Sequence, residues 1–154
     1  MDLGFYIIDC DNSAKNNFLL DLINNMISFR PYDSIVLFNH KYNRIDKNKK
    51  FPIFHISQAK YFRGSLIYFD VKSATLAKTF PGPSKQILCC DYPEWSINRN
   101  ARSMLWKNIY EDPNLKIITY EQNIKNLIEI CWDKKVLHIP ELNARNLYDA
   151  IEKI

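Results

Sequence analysis

Seven short apolar runs alternate with segments of helical periodicity along the chain, and this alternation constrains the fold more than any other feature. The runs are apolar at odd and even positions alike, so both faces of each strand are expected to be buried. Strands of this kind, each followed by a helix, are typical of a parallel sheet that helices cover on both sides. The predicted strands are GFYIIDC (4–10), SIVLFN (34–39), FPIFHIS (51–57), SLIYFDV (65–71), KQILCCDY (85–92), LKIITY (115–120) and KKVLHIP (134–140).

Between the strands, apolar residues recur three and four residues apart, a spacing that predicts amphipathic helices. In the first helix this stripe includes Phe18, Leu22 and Met26, with Ser13 as the N-cap and Pro31 as the stop signal. The other predicted helical segments are QAKYFRG (58–64), KSATLAKTF (72–80), residues 100–110, a helix through Ile124, Leu127, Ile128 and Cys131, and a last helix capped by Asn143.

The length of the chain, 154 residues, agrees with one domain, since domains commonly hold about 100–200 residues. Strand–helix–strand connections in such folds are right-handed. The sequence therefore predicts a single α/β domain over residues 1–154, built on a doubly wound, mostly parallel, Rossmann-like sheet.

The net charge of the chain is a mild +4 at pH 7, with an isoelectric point near 8.8. Domains that bind nucleic acids usually have an isoelectric point above about 9 and cluster their basic residues on one face. The densest basic run, HKYNRIDKNKK (40–50), is rich in Asn and is interpreted as a solvated loop. We therefore expect no nucleic-acid partner.

The four cysteines, Cys10, Cys89, Cys90 and Cys131, form no CxxC pair, so the sequence predicts no metal site, and it indicates no cofactor. Cysteines inside apolar runs are expected to be buried and reduced. The first residues lack the basic segment of a signal peptide, and no apolar run approaches the roughly 18 residues of a membrane span. We expect a cytoplasmic protein without membrane contact.

Ligands of doubly wound sheets bind beyond the carboxyl ends of the strands, near the switch in strand order. The side chains at these ends are mostly acids and amides, which suit a hydroxyl-bearing ligand or a divalent cation better than a free phosphate. Phosphate-binding turns need glycine, but the first strand–helix turn has none, and neither GxGxxG nor a P-loop occurs. No residue is assigned a catalytic role. The candidate ligand-binding residues are Asp9, Asp11, Asn12, Ser13, Asp70, Asp91, Glu94, Trp95, Thr119, Gln122 and Glu141.

Two motifs have sharper interpretations, each with a structural alternative. Asp9, Asp11 and Ser13 resemble the D-x-D motif of haloacid-dehalogenase-like phosphatases, in which one Asp attacks phosphorus, the second is an acid/base and Mg²⁺ lies between them. The glycine usual after the second Asp is missing, and a polar turn with a helix cap favours the same residue types. In DYPEW (91–95), Tyr92 and Trp95 either stack on a sugar or base or close the sheet edge.

The order of elements from Ser65 to Asn143 resembles the N-terminal half of GT-B glycosyltransferases. SLIYFDVKSATLAKTF is similar to a D-V-I-H-A-H strand with its helix, and KQILCCDYPEW to P-V-V-x-T-x-H-D, matched at Asp91. The family pattern A-D-x-I-I-A-V-S-E is similar to NLKIITYEQNIKNLIEI, in which residues 119–122 stand at the Ser/Glu position. The family pattern V-x-V-I-P-N-G-V-D is similar to KVLHIPELNA, which matches it at Pro140. The family's Gly-rich first turn and its donor-binding second domain have no counterpart in these residues.

The resemblance implies a stand-alone acceptor-side domain of a split or degenerate glycosyltransferase, which holds a sugar acceptor and needs a separate donor-binding subunit. Its carboxylates would bind acceptor hydroxyls, and one would serve as a general base. A second hypothesis is a non-catalytic module that binds a protein partner. A third is a Mg²⁺-dependent phosphohydrolase that uses Asp9 and Asp11. The residues do not decide whether the chain is an enzyme.

Overall fold

The computed structural model describes residues 1–8, 13–40, 48–91 and 104–154. Within these ranges, seven strands form one sheet in which every neighbouring pair is parallel. The strands are β1 (Asp2–Tyr6), β2 (Ser34–Asn39), β3 (Ile53–His55), β4 (Ser65–Tyr68), β5 (Lys85–Cys89), β6 (Leu115–Thr119) and β7 (Val136–His138). Their order across the sheet is β3-β2-β1-β4-β5-β6-β7. The predicted Rossmann-like α/β class is confirmed, and the described sheet is parallel throughout.

Helices cover both faces of this sheet. In chain order they are α1 (Ala14–Phe29), a 3₁₀ helix (Ile56–Tyr61), α2 (Val71–Ala77), α3 (Met104–Tyr110), α4 (Gln122–Trp132) and α5 (Ala144–Lys153). Residues of α1 and α5 pack against one face, and residues of the other four helices pack against the opposite face. This distribution is what right-handed crossovers require when the chain winds outward in both directions from β1.

The central strand shows how the sequence fills two cores at once. Side chains alternate across a strand, so Leu3 and Phe5 of β1 are buried beneath α1 and α5, whereas Tyr6 is buried on the opposite face. All three side chains are fully excluded from solvent. Burial of apolar surface on both faces is the main source of stability in such a sheet, at roughly 25 cal/mol per Å².

Polar residues at the carboxyl ends of the strands cap the helices that follow. The Ser13 hydroxyl accepts a hydrogen bond from the Asn16 amide at the start of α1, and the Asn143 side chain accepts one from the Asn146 amide at the start of α5. These two predicted N-caps are confirmed. A third N-cap, Asp70 at the start of α2, was not predicted, since the predicted fourth strand continues through Val71.

The structure differs from the sequence-based prediction mainly in where the strands begin and end. The first predicted strand starts at Gly4, but β1 spans Asp2–Tyr6. The third is predicted over 51–57, but β3 covers only Ile53–His55, after which the His55 ring accepts from the Ser57 amide and begins the 3₁₀ helix. Apolar residues beyond a strand end, such as Phe69, remain buried. Apolarity therefore reports burial and overestimates the length of the hydrogen-bonded strand.

The strand order places a topological switch at β1. The chain leaves β1 toward β2 over one face of the sheet, and it leaves the neighbouring β4 toward β5 over the other face. The two connections diverge at the carboxyl ends of β1 and β4, and a crevice results there. Among the described residues, no helix combines the length and the apolar character needed to cross a membrane.

Candidate functional site

Two neighbouring cavities open along the carboxyl ends of the strands, beside the first turns of α1. One, of about 300 Å³, lies at the switch between β1 and β4. The other, of about 250 Å³, lies over the ends of β5 and β6. Lys15, Leu19 and Phe69 line both cavities, which we therefore treat as one site and call the switch cleft. Its principal residues are Ser13, Lys15, Asn16, Phe69, Asp70, Asp91, Thr119 and Tyr120.

An ion pair spans the middle of the switch cleft. The Lys15 Nζ lies 3.1 Å from Oδ2 of Asp91, which follows β5, and 3.4 Å from the carbonyl oxygen of Phe69, which follows β4. Lys15 is the second residue of α1, where a positive charge opposes the helix dipole. Both side chains remain partly exposed, at 43% and 29%. The pair therefore presents one cation and one carboxylate to a ligand in the cleft.

Next to this pair, two aromatic side chains supply apolar surface. Phe69 is buried and stacks on Phe5 of the core with ring centroids 6.1 Å apart, so its position is fixed by the sheet. Tyr120, directly after β6, lines the second cavity. Partial burial raises the pKa of Tyr120, and the charge of Asp91 raises it further. The Tyr120 hydroxyl is therefore protonated at neutral pH and can donate a hydrogen bond.

Ser13 and Asp70 line the first cavity, but both already hold a helix in place. Asp70 accepts from the Ser73 amide at 2.7 Å through one carboxylate oxygen and from the Ser73 hydroxyl at 2.6 Å through the other. The Ser13 hydroxyl accepts from the Asn16 amide at 3.3 Å. Asp70 can still accept a hydrogen bond from a ligand, since each carboxylate oxygen can accept more than one.

The floor of the second cavity is closed by buried residues. Thr119 is 1% exposed, and its hydroxyl accepts from the Glu121 amide at 3.2 Å, which shapes the turn after β6. Cys89 lines the same cavity, and burial raises the pKa of its thiol. The thiol is therefore protonated and is a poor nucleophile. These buried residues therefore define the shape of the cavity and do not supply a reactive group.

Two of the candidate residues lie outside the lining of the switch cleft. Gln122 opens α4 and donates from its side-chain amide to Asn126 at 2.8 Å. Glu141 accepts from the Asn143 side chain at 2.9 Å, and its carbonyl oxygen accepts from the Asn146 side chain. Both residues stabilise helix starts at the same edge of the sheet. The candidates Asp9, Asp11, Asn12, Glu94 and Trp95 lie outside the described residues.

Sequence reasoning missed Lys15, Phe69 and Tyr120. Lys15 stands two residues after the Ser13 cap, and a basic residue in the first turn of a helix is the signal that could have marked it. The sequence places Phe69 inside the fourth predicted strand and Tyr120 at the end of the sixth, although each begins the turn after its strand. Alternation within the strand gives no indication that such a residue borders a cavity.

A second polar group lies at the same edge of the sheet but on the opposite face. The Tyr6 hydroxyl and Nε2 of His40 are 2.6 Å apart, and the rings of His40 and His55 meet edge to face at 6.2 Å. Tyr68 is paired with Tyr6 across the sheet. Its hydroxyl is buried and makes no hydrogen bond within the described ranges, and this burial raises its pKa. These residues show that the switch is polar on both faces.

Comparison with known proteins does not assign the chain to a family. No family model, no curated protein and no solved structure matches it. The Rossmann-like sheet and the residues of the switch cleft are therefore the basis for any functional conclusion.

The side chains of the switch cleft can bind a neutral ligand with many hydroxyl groups. Lys15 donates hydrogen bonds, Asp91 and Asp70 accept them, and Tyr120 can do both. The half-buried ring of Tyr120 offers an apolar surface of the kind that packs on the C–H face of a sugar ring, beside the buried wall formed by Phe69. Among the described residues, no group of three or more His, Cys, Asp or Glu side chains is arranged to hold a metal ion.

Proposed function

We propose that this chain binds a sugar, or a similar hydroxyl-rich molecule, in the switch cleft, as the acceptor-side domain of a split or degenerate GT-B-like glycosyltransferase. The observation that carries the proposal is the Lys15–Asp91 pair at 3.1 Å, beside Phe69 and between two cavities of about 300 and 250 Å³. A sugar hydroxyl donates to a carboxylate and accepts from an ammonium group. One ion pair can therefore hold two neighbouring hydroxyls.

The charges of the cleft favour a neutral ligand over a phosphate. The Lys15 ammonium is paired with Asp91, and the first cavity also holds Asp70 and Lys72, so the charges that line the two cavities balance. An anion would also need close approach to backbone N–H groups, for which glycine is the usual residue. The turn between β1 and α1 contains no glycine. These two features disfavour a nucleotide at this end of the sheet.

In a transfer reaction, Asp91 is the carboxylate suited to accept the proton of an acceptor hydroxyl, since it lies where such a hydroxyl would bind. The acceptor oxygen would then form a bond to the anomeric carbon as the bond to the departing phosphate breaks. The donor would be held by a separate subunit, as the resemblance to GT-B enzymes implies. A general base must lie within about 2.6–3.2 Å of the oxygen that it deprotonates.

Binding can be tested by isothermal titration calorimetry with a panel of common monosaccharides and disaccharides. Asp91→Asn keeps the shape of the side chain but removes its charge, and Lys15→Met keeps the length of the side chain but removes the donor. We expect both variants to weaken sugar binding by about tenfold or more, as for loss of a charged hydrogen bond. The exposed Lys85, at the opposite end of the sheet, supplies the control Lys85→Gln. Equal binding by all four proteins would contradict the proposal.

A specific observation also supports the protein-binding alternative. Leu127 and Ile130, three residues apart on α4, are 37% and 82% exposed, and residues at this spacing share one side of a helix. Large exposed apolar residues that lie together often mark a protein contact. If this module is non-catalytic, Ile130→Glu should abolish co-purification of a partner while Lys15→Met has no effect on it. The opposite pattern would favour the switch cleft.

The phosphohydrolase alternative depends on Asp9 and Asp11, which lie outside the described residues. Its test is hydrolysis of p-nitrophenyl phosphate in the presence of Mg²⁺. Asp9→Asn would abolish this activity if Asp9 were the nucleophile. Unchanged activity in that variant would remove the alternative.

A further inference from the structure

A cavity of about 410 Å³ lies at the end of the sheet opposite the switch cleft, between the starts of β6 and β7 and the end of α5. Four lysines line it: Lys116 of β6, Lys134 and Lys135 directly before β7, and Lys153, the last residue of α5. Its lining, as the described ranges show it, contains no acidic side chain. We call this feature the lysine cavity.

Strand register brings two of these lysines together. Ile117 of β6 pairs with Val136 of β7, so the residues one position earlier, Lys116 and Lys135, are neighbours at the starts of the two strands. Side chains at matching positions of paired strands point to the same face. Like charges that face each other across a strand pair are destabilising. The fold therefore holds two positive charges close together although the residues are far apart in sequence.

The ion pairs of the described residues leave this group largely unneutralised, although the Glu129 carboxylate lies at its edge, where it accepts from the Val136 amide at 3.1 Å. Within the described ranges, Lys116, Lys135 and Lys153 form no ion pair. Lys134 donates to the carbonyl oxygen of Asp112, but the carboxylate of Asp112 lies 2.9 Å from Lys78.

The pKa of Lys134 agrees with this arrangement. Burial lowers it, and although the charge of Asp112 acts in the opposite direction, Lys116 and Lys78 lower it further. An anion bound in the cavity would relieve this repulsion.

The wall between the lysines is apolar. Leu137, Pro113 and Ile154 line the cavity, whereas the Ile117 side chain is buried in the core on the opposite face of the sheet. A volume of about 410 Å³ lies within the range of roughly 300–1,000 Å³ typical of small-molecule sites. The cavity therefore combines several cationic donors with an apolar surface, a combination that an inorganic ion alone would not use fully.

We propose that the lysine cavity binds a small phosphorylated molecule that carries at least two negative charges beside an apolar or planar group. The phosphate oxygens lie against Lys135 and Lys153, and the apolar or planar part lies on Leu137 and Pro113. A soluble phosphate ester and a phosphorylated lipid headgroup share this chemistry. The lysine cavity is independent of the sugar-binding proposal, since none of its lining residues also lines the switch cleft.

Calorimetric titration of the full chain with ATP and with inorganic pyrophosphate tests the soluble source. Co-sedimentation with phosphatidylcholine vesicles, with and without phosphatidylinositol phosphate, tests the lipid source. The test variant is Lys135→Gln combined with Lys153→Gln, since both side chains are exposed and neither holds a partner in place. Lys85→Gln is the matched control, because Lys85 is an exposed lysine at the start of β5, at the same end of the sheet.

We expect ATP to bind more tightly than pyrophosphate, and the double variant to bind at least about tenfold more weakly than the unaltered protein. The control should stay within about twofold. Binding only to phosphoinositide vesicles, with the same dependence on the two lysines, would identify the lipid source. Two results would overturn the proposal: no binding to any of these probes, or binding that the double variant leaves unchanged. Binding that Lys15→Met abolishes instead would place the anion in the switch cleft and would also overturn it.

Discussion

Lys15, in the first turn of α1, and Asp91, two residues beyond β5, face each other at 3.1 Å across the carboxyl end of the sheet. The two residues are 76 positions apart in sequence, so only the doubly wound topology brings them together. Lys15 lies in the helix that follows β1, and Asp91 lies in the turn that follows β5; both strands are inner strands of the sheet. This relationship defines the switch cleft and leads to the first prediction.

Removal of the Lys15–Asp91 pair should affect ligand binding far more than folding. Both side chains are partly exposed, and partly exposed ion pairs contribute only about 0–1 kcal/mol to stability. Lys15→Met and Asp91→Asn should therefore each lower the free energy of unfolding by less than about 1 kcal/mol, as measured by urea denaturation. A loss of several kcal/mol would show that the pair is a structural element and not a binding element.

Asp70 should contribute to stability through the start of α2. It accepts hydrogen bonds from both the amide and the hydroxyl of Ser73, so Asp70→Ala should cost about 0.5–2 kcal/mol. Asp70→Asn is the matched control, because an asparagine oxygen can still accept from the amide. Denaturant unfolding of the three proteins measures the difference. Equal losses for Ala and Asn would indicate that charge, and not capping, is what Asp70 supplies.

Two glycines allow close approach of neighbouring elements. A Cβ atom added to Gly64 would lie 2.2 Å from the backbone oxygen of Asp2, whereas at Gly4 the nearest atom, at 2.8 Å, belongs to the Phe62 side chain. A side chain can shift more readily than the backbone at the start of β1. Gly4→Ala should therefore cost about 1–3 kcal/mol, as overpacking usually does, and Gly64→Ala should cost more. Thermal unfolding of both variants measures the two losses of stability. A smaller loss for Gly64→Ala than for Gly4→Ala would contradict this prediction.

The Asp112 carboxylate should make folding sensitive to acid. Burial acts to raise its pKa, but hydrogen bonds from Lys78 and the Asn114 amide outweigh that effect, and the net pKa is lowered. A group with a lowered pKa stabilises the fold above its unfolded-state pKa and loses this effect as the pH falls through its folded-state value. The stability difference between the unaltered protein and Asp112→Asn should therefore be constant near neutrality and shrink in acid. Unfolding curves at several pH values measure it, and a difference that grows in acid would contradict this assignment.

The class of the fold follows from the sequence because each strand is a short apolar run with turn residues on either side. All seven predicted strands correspond to strands of the sheet. Their ends were predicted less well, since Phe69 is buried in the core without belonging to a strand. A single sequence does not distinguish burial against a helix from pairing within a sheet.

The candidate site could be predicted only as an edge of the sheet. Topology predicts that Ser13, Asp70, Asp91 and Thr119 lie at one edge of the sheet, because the carboxyl ends of parallel strands meet there, and these four residues line the two cavities. The position of the Lys15 ammonium depends on where the first turn of α1 packs against the turns after β4 and β5. That is a tertiary relationship without a local sequence pattern.

The central claim, that the switch cleft binds a sugar, is tested most directly by locating a bound sugar on the protein. Titration of ¹⁵N-labelled protein with the tightest-binding sugar of the panel, followed by amide chemical shifts, provides that location. We predict shifts concentrated at Asn16, Asp70, Asp91 and Tyr120, and loss of these shifts in Asp91→Asn. Shifts that avoid this edge of the sheet, or that persist unchanged in the variant, would contradict the account.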